Sequence, residues 1–298
     1  MAEAALRQRI YPTKFEQAIL QKADAWWKEV LPAGPGRRGA DPVEPAPDPR
    51  LILLCMTPRS GSTALSAAMA STRRLGLGGD ERLNQKNKVL NQILRETMPR
   101  SRRETLERVI EASRTRNGVA QIKCDLPQIL PFLLDRNCFE ILRQAHVVYL
   151  TRGDLLGQAI SRYRSSSTGV AHVRGAQAMA QLEVPYDFAG IAGHLERLAR
   201  MMASYERTFA LLGIRPLRIT YEQIVADPGR IVHEIAKKVG VDIRPDRIAG
   251  LDAGGHKKVS GANNANLRQQ FLQDPGERAF SLPPRRRRAA AEQALQAR

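Results

Sequence analysis

Three cysteines in 298 residues are too few, and odd in number, to build a disulfide framework. Cys55, Cys124 and Cys138 lie in or beside apolar stretches, which suits buried reduced thiols and predicts a cytoplasmic location. No apolar run approaches the ~18 residues that cross a bilayer. The N-terminal "MAEAALRQRIYPTKF" lacks the apolar centre of a signal peptide. Aromatic residues make up 5% of the chain, few for the stacking platforms of single-strand nucleic-acid binders. The five histidines are scattered and no cysteine pair has ligand spacing, so no metal is expected.

What is present describes a folded chain. The hydrophobic fraction is 43% and the charged fraction 26%, both ordinary for globular proteins. A formal charge of +17 favours an anionic partner: nucleic acid, an acidic membrane face or a polyanionic small molecule. A basic surface without a partner gives the same number. Part of the excess sits in "PPRRRRAAAEQALQAR", which makes 276–298 a basic tail.

At the other end, Phe15, Ile19, Ala23, Trp26 and Val30 recur at helical spacing, predicting an amphipathic helix within 1–31. Those residues hold five cations and four anions, which argues against a membrane-surface helix. Packing on the body, or on a second copy in a homodimer, is expected instead. Six prolines between 32 and 49 exclude helix and central strand, so 32–50 reads as a linker.

From 51 to 275 short apolar runs alternate with longer helical patterns. The runs "LILLCMT" (51–57), "GVAQIKC" (118–124), "HVVYLT" (146–151) and "PLRIT" (216–220) predict strands. Helices are predicted over 61–73, 86–97, 101–116, 127–143, 154–165, 188–212 and 221–239. That alternation indicates an α/β fold with a central, mostly parallel sheet flanked by helices. Ligands of such sheets sit at the carboxyl ends of the strands, so the loops after 57, 124, 151 and 220 come first.

The first of these loops, "TPRSGST" from Thr57 to Thr63, passes from strand to helix. Gly61 lets the backbone come close to a ligand. Ser60, Gly61, Ser62 and Thr63 would offer N–H groups where the helix dipole favours negative charge. Arg59 adds a planar fork of donors suited to a tetrahedral oxyanion. The plainer reading is that Ser and Thr only cap the helix. The lysine of a G-x-x-x-x-G-K-[ST] loop is missing, and no strand ends in an Asp pair for a metal, which disfavours ATP-driven phosphoryl transfer. A second block, "HVVYLTRGDLLGQAISRYRSSSTGVAH", puts Arg152 just after a strand and Asp154 where it can cap the next helix. Ser161 follows Asp154 by seven residues, two helical turns, so both share one face.

The loop "TPRSGST" resembles the 5′-phosphosulfate loop of sulfotransferases, and its Pro-Arg-Ser-Gly-Ser form is similar to the trehalose sulfotransferase family. The blocks "R-x-D-x-x-x-Q-A-x-S" and "T-G-V-x-H", "GVAQIKCDLPQILPFLL" with Lys123, and "RITYEQIVADPGRIVHEIAKKVGV" extend the likeness over roughly 51–240. The resemblance implies a P-loop-like sulfotransferase fold and 3′-phosphoadenosine 5′-phosphosulfate as sulfuryl donor. It gives the 3′-phosphate to an Arg after a strand and a Ser nine residues on, matched by Arg152 and Ser161. Arg59, Ser60, Gly61, Ser62 and Thr63 match its 5′ loop, and Arg59 with that loop would act catalytically by stabilising charge on the leaving phosphate.

For sulfuryl transfer to an alcohol the remaining need is a base. The family carries a glutamate in a Gly-x-Pro-x-Glu-aromatic stretch, and Glu81 in "LGLGGDERLN" is its counterpart. Here Asp80 and Glu81 are adjacent, the proline is absent and Arg82-Leu83 replace the aromatic pair, so a one-residue slip would select Asp80. His172 is the other base candidate, since imidazole titrates in the useful range. The implied acceptor is a carbohydrate or glycolipid hydroxyl. The stretch 254–271, Gly/Asn-rich and basic, reads as a surface loop. Two other readings stand beside the enzyme: a polyanion- or nucleic-acid-binding module that uses the +17 charge, and a nucleotide binder without turnover. Nucleic acid is the less expected partner, whereas contact with an anionic membrane face stays open.

Overall fold

Seven residues, Arg50–Met56, form β1, and all but the first are buried. A leucine or isoleucine fully buried contributes ~1.5–3 kcal/mol, against ~1–2 kcal/mol for ordering its backbone. Packing therefore holds this strand. The computed structural model describes residues 13–31, 50–168, 183–244, 246, 248 and 262–274. β1 pairs in parallel with β2 (Val119–Asp125) on one side and β3 (His146–Thr151) on the other. β4 (Leu217–Thr220) joins β3, giving the order β2-β1-β3-β4. All four expected strands are present, and every pairing is parallel. Their carboxyl ends therefore converge on one edge.

Side chains alternate across the sheet. Leu51, Leu53 and Cys55 face one layer with Ile122, Cys124 and Tyr149. This layer is covered by α1 (Lys14–Val30), α3 (Lys88–Thr97), α4 (Arg102–Glu111), α5 (Leu126–Leu133), α6 (Arg136–Leu142) and α8 (Phe188–Leu212). Ile52, Leu54 and Met56 face the opposite layer, packed on α2 (Ser62–Ser71) and α10 (Pro228–Val239). A smaller third cluster joins α7 (Leu155–Thr168), α8 and α11 (Ala262–Gln273) through Ile160, Tyr163, Ile191 and Leu267. The three cysteines are buried with free thiols.

α1 lies on the body, but its seam is turned one residue from the expected stripe. Glu16, Leu20, Ala23 and Trp27 are the buried set, while Phe15, Ile19, Trp26 and Val30 flank it. The reason is Glu16, a carboxylate that can be buried because Arg207 reaches it at 3.8 Å and Thr13 hydrogen-bonds it. Trp27 stands edge-on to Phe132 with ring centres 5.4 Å apart, and Arg102 pairs with Asp24 at 2.5 Å. Among the described residues no helix is long and apolar enough to cross a membrane.

Two expected helices are broken. The pattern over 127–143 divides into α5 and α6, where Asp135 takes the N–H groups of Asn137 and Cys138 as a new cap. That over 221–239 divides at Asp227-Pro228 into α9 (Tyr221–Ala226) and α10, with Asp227 as cap and proline at the first turn. The expected surface loop over 254–271 is corrected as well: from 262 onward it is α11, fastened by Leu267 in the third cluster and by Arg268 on Asp154. Tertiary contacts outweigh its Asn-rich composition. The linker apart from Arg50, the whole of the 276–298 tail and His172 lie outside the described residues.

Candidate active site

β1 delivers the chain into the Thr57–Gly61 turn at the carboxyl edge. Arg59 and Gly61 both take left-handed backbone, φ 70° and 86°. For Arg59 that conformation is uncommon and costs free energy, which marks a turn held by its surroundings. Gly61 begins α2 and offers no side-chain cap. Ser62 and Thr63 lie inside the helix, so the capping alternative does not apply to them. In contrast α1, α3, α4 and α5 each start on a side chain that takes their first N–H groups: Thr13, Asn87, Ser101 and Asp125. The N–H groups at the start of α2 have no intrahelical acceptor and no such cap. Ser60 is fully buried and its Oγ has no partner.

The two blocks singled out in the sequence meet here. The Arg59 Nε donates to Ser161 Oγ at 3.0 Å across 102 residues of chain. Arg59 is thus drawn towards the second block rather than staying with its own turn. Burial lowers its affinity for its proton, and Arg162, Arg152 and Arg164 crowd it with like charge. Such a cluster favours an anion among the four guanidinium groups. Gln158 on α7 ties the turn in place, donating to Thr57 Oγ1 and to the Pro58 carbonyl, both at 2.8 Å. Asp154 caps α7 by taking the Gly157 N–H at 2.9 Å, and lies 3.5 Å from Arg152.

On the other side of the turn stands a lysine, but β2 supplies it. Lys123 is 1% exposed, and its Nζ reaches Thr63 Oγ1 and Glu81 Oε1, each at 3.3 Å. The buried ammonium brings Glu81 to the head of α2, while Asp80 is exposed beside it. Asp125 follows Lys123 by two residues on β2 and shares its face. One Asp125 oxygen caps α5 through the Gln128 N–H at 3.2 Å. Burial raises its carboxyl from 3.8 to about 6; Glu81 adds to the rise, and Gln128 and Arg162 oppose it.

A model of the Stf0 sulphotransferase family matches residues 52–253. The chain belongs to that family. None of the curated proteins matches it significantly. The matched span contains the turn, α7, Lys123, Glu81 and the Tyr221-Glu222 pair, and leaves out α1 and α11.

Several residues of the candidate site in this Stf0 family member escaped the sequence. Lys123 was recognised only as part of a block; that its ammonium reaches Thr63 at the head of α2 depends on β1 and β2 being neighbours. Gln158 and Asp125 lay in quoted blocks but were given no role of their own. Tyr221 and Glu222 lay in a quoted block, yet nothing local says where they point. In the fold the Arg152 guanidinium carbon lies 4.8 Å from the centre of the Tyr221 ring. Glu222 takes the N–H groups of Gly153 and Asp154 at 3.1 and 3.3 Å. Burial alone would raise the Glu222 carboxyl, but those N–H groups and Arg152 hold it below its ordinary value.

Proposed function

We propose that the chain transfers a sulfuryl group from 3′-phosphoadenosine 5′-phosphosulfate to a hydroxyl of a carbohydrate or glycolipid. The observation that carries the reading is the uncapped start of α2, next to a cluster of arginines tied to it by the Arg59–Ser161 bond. Donors without acceptors at a helix start, with Arg152 nearby, fit a nucleotide charged at both its 5′ and 3′ ends. The family membership supplies the sulfuryl chemistry.

On this reading the N–H groups of α2, with the Ser62 and Thr63 hydroxyls, hold the 5′ charge, and Lys123 supports it through Thr63. Arg152, Ser161 and Arg59 hold the 3′-phosphate. The donor supplies an activated sulfur–oxygen bond, which breaks towards its 5′-phosphate as the acceptor oxygen bonds to sulfur. Glu81 takes the acceptor proton, and the Lys123 pair fixes where that carboxylate stands. The donors at α2 stabilise charge on the leaving phosphate.

The test is incubation with labelled donor and a mixed panel of glycans and glycolipids, read by mass spectrometry. Sulfate on at least one hydroxylated acceptor is expected. No product with any acceptor, together with no calorimetric heat from adenosine 3′,5′-bisphosphate, overturns the reading.

A further inference from the structure

The turn that starts α2 and the loop that carries Arg152 leave from neighbouring strands, β1 and β3. Tyr221, the first residue beyond β4, stands against both. A Cβ added to Gly61 would lie 2.5 Å from Tyr221 Cδ2 and 3.0 Å from Cε2, closer than two carbons can approach. Gly61 is therefore seated on the ring. The face of the same ring carries the Arg152 guanidinium. Its other contacts are looser: its Nε is buried without a partner, and Asp154 Oδ2 stands 3.5 Å away, beyond a short direct hydrogen bond. Glu222 attracts it only as a nearby charge. Arg268 from α11 forks the other Asp154 oxygen, Oδ1, which holds that carboxylate in place. The next residue, Glu222, fastens the backbone immediately after Arg152 through the N–H groups of Gly153 and Asp154. The Thr220–Gln223 capping box anchors the pair at the start of α9.

We propose that Tyr221 is a positioning residue: its ring sets the distance between the Gly61 turn and the Arg152 guanidinium, with Glu222 locking the loop, and so selects nucleotides charged at both the 3′ and 5′ ends. This rests on the reading of the site as a nucleotide grip. A stacked guanidinium keeps its plane and reach while still offering its donors outward. Without the ring, Arg152 keeps its charge but loses its place. The cost then falls on the 3′-phosphate, while the α2 donors still take the 5′ end.

The experiment compares calorimetric affinities for adenosine 3′,5′-bisphosphate and adenosine 5′-phosphate in wild type, Y221F, Y221L and E222Q. Y221L is expected to weaken the bisphosphate by about tenfold and the 5′-phosphate by less than about twofold. Y221F, which keeps the ring, should retain the wild-type ratio. E222Q, on an exposed loop contact, should lower the ratio by roughly threefold. Equal losses for both nucleotides in Y221L, or an unchanged ratio, overturn the proposal. If Y221L does not fold, an unchanged ratio in E222Q does so. A wild type that prefers the bisphosphate beside variants that keep that preference refutes only the positioning role. A wild type without the preference removes the nucleotide reading as well.

Discussion

Glu81 and Asp125 both stand near Lys123, but different forces act on them. Glu81 is ion-paired and partly open to the cleft, as a proton acceptor for a bound hydroxyl must be. Glu81→Gln keeps the shape and removes the basicity. kcat should fall by ~10²–10⁴, while calorimetric affinity for adenosine 3′,5′-bisphosphate stays within about twofold; an unchanged kcat would move the base elsewhere. Asp125 is instead burdened by burial, its carboxyl pushed up to about 6. The folded chain therefore keeps this proton where the unfolded chain gives it up, between about pH 4 and 6. The penalty is absent below that window and complete above it. Asp125→Asn removes the charge and keeps the cap. The variant should be more stable at pH 7.5 by about 1–3 kcal/mol, fading to nothing near pH 4. Urea melts at the two pH values check this, and an advantage that grows on acidification would contradict the assigned cause. A half-buried acid whose carboxyl is pushed up beside Glu81 is the kind of feature found at working sites.

At the level of elements, the apolar runs located all four strands to within a residue, most plainly β1, which is buried on both faces and reads as one hydrophobic stretch. Helix breaks were less legible. Asp135 reads as an ordinary polar position until the backbone turns and makes it a cap. α11 was hidden by composition, since its anchors, Leu267 and Arg268, find partners about a hundred residues away. α1 was foreseen as amphipathic and its stripe does pack on the body, but the fully buried line beside it was missed, because a buried Glu16 is unreadable without Arg207. Its hold on the body centres on Trp27, 4% exposed against Phe132. Trp27→Ala should cost about 3–5 kcal/mol, seen as a lower urea midpoint. Nucleotide affinity should not change, as α1 contributes none of the arginines around Arg59.

At the level of the whole molecule, the candidate site draws on β1, β2, β3 and β4 and their following segments, so sequence distance concealed most of its contacts. The Arg59–Ser161 bond could be anticipated only as two separate anion sites; that they share a hydrogen bond is a property of the sheet order. A ligand bridging those segments should stabilise the native state as a unit. Adenosine 3′,5′-bisphosphate at about a hundred times its Kd adds ~2.7 kcal/mol. The Tm should rise by roughly 5–10 °C, with adenosine alone giving far less. A flat melting profile would mean that the arginine cluster holds no such nucleotide.

The strand order also divides the labour. Arg59, Arg152, Ser161 and Tyr221 come from the β1, β3 and β4 side, whereas Glu81, Lys123 and Asp125 gather at the β2 edge. Changes in the 72–87 connection or at the start of α5 can therefore reshape one half of the cleft while the other keeps its grip. On the proposed reading, the acceptor side could then vary while the arginines kept the 3′ end of the donor, with Lys123 as the link between the two halves.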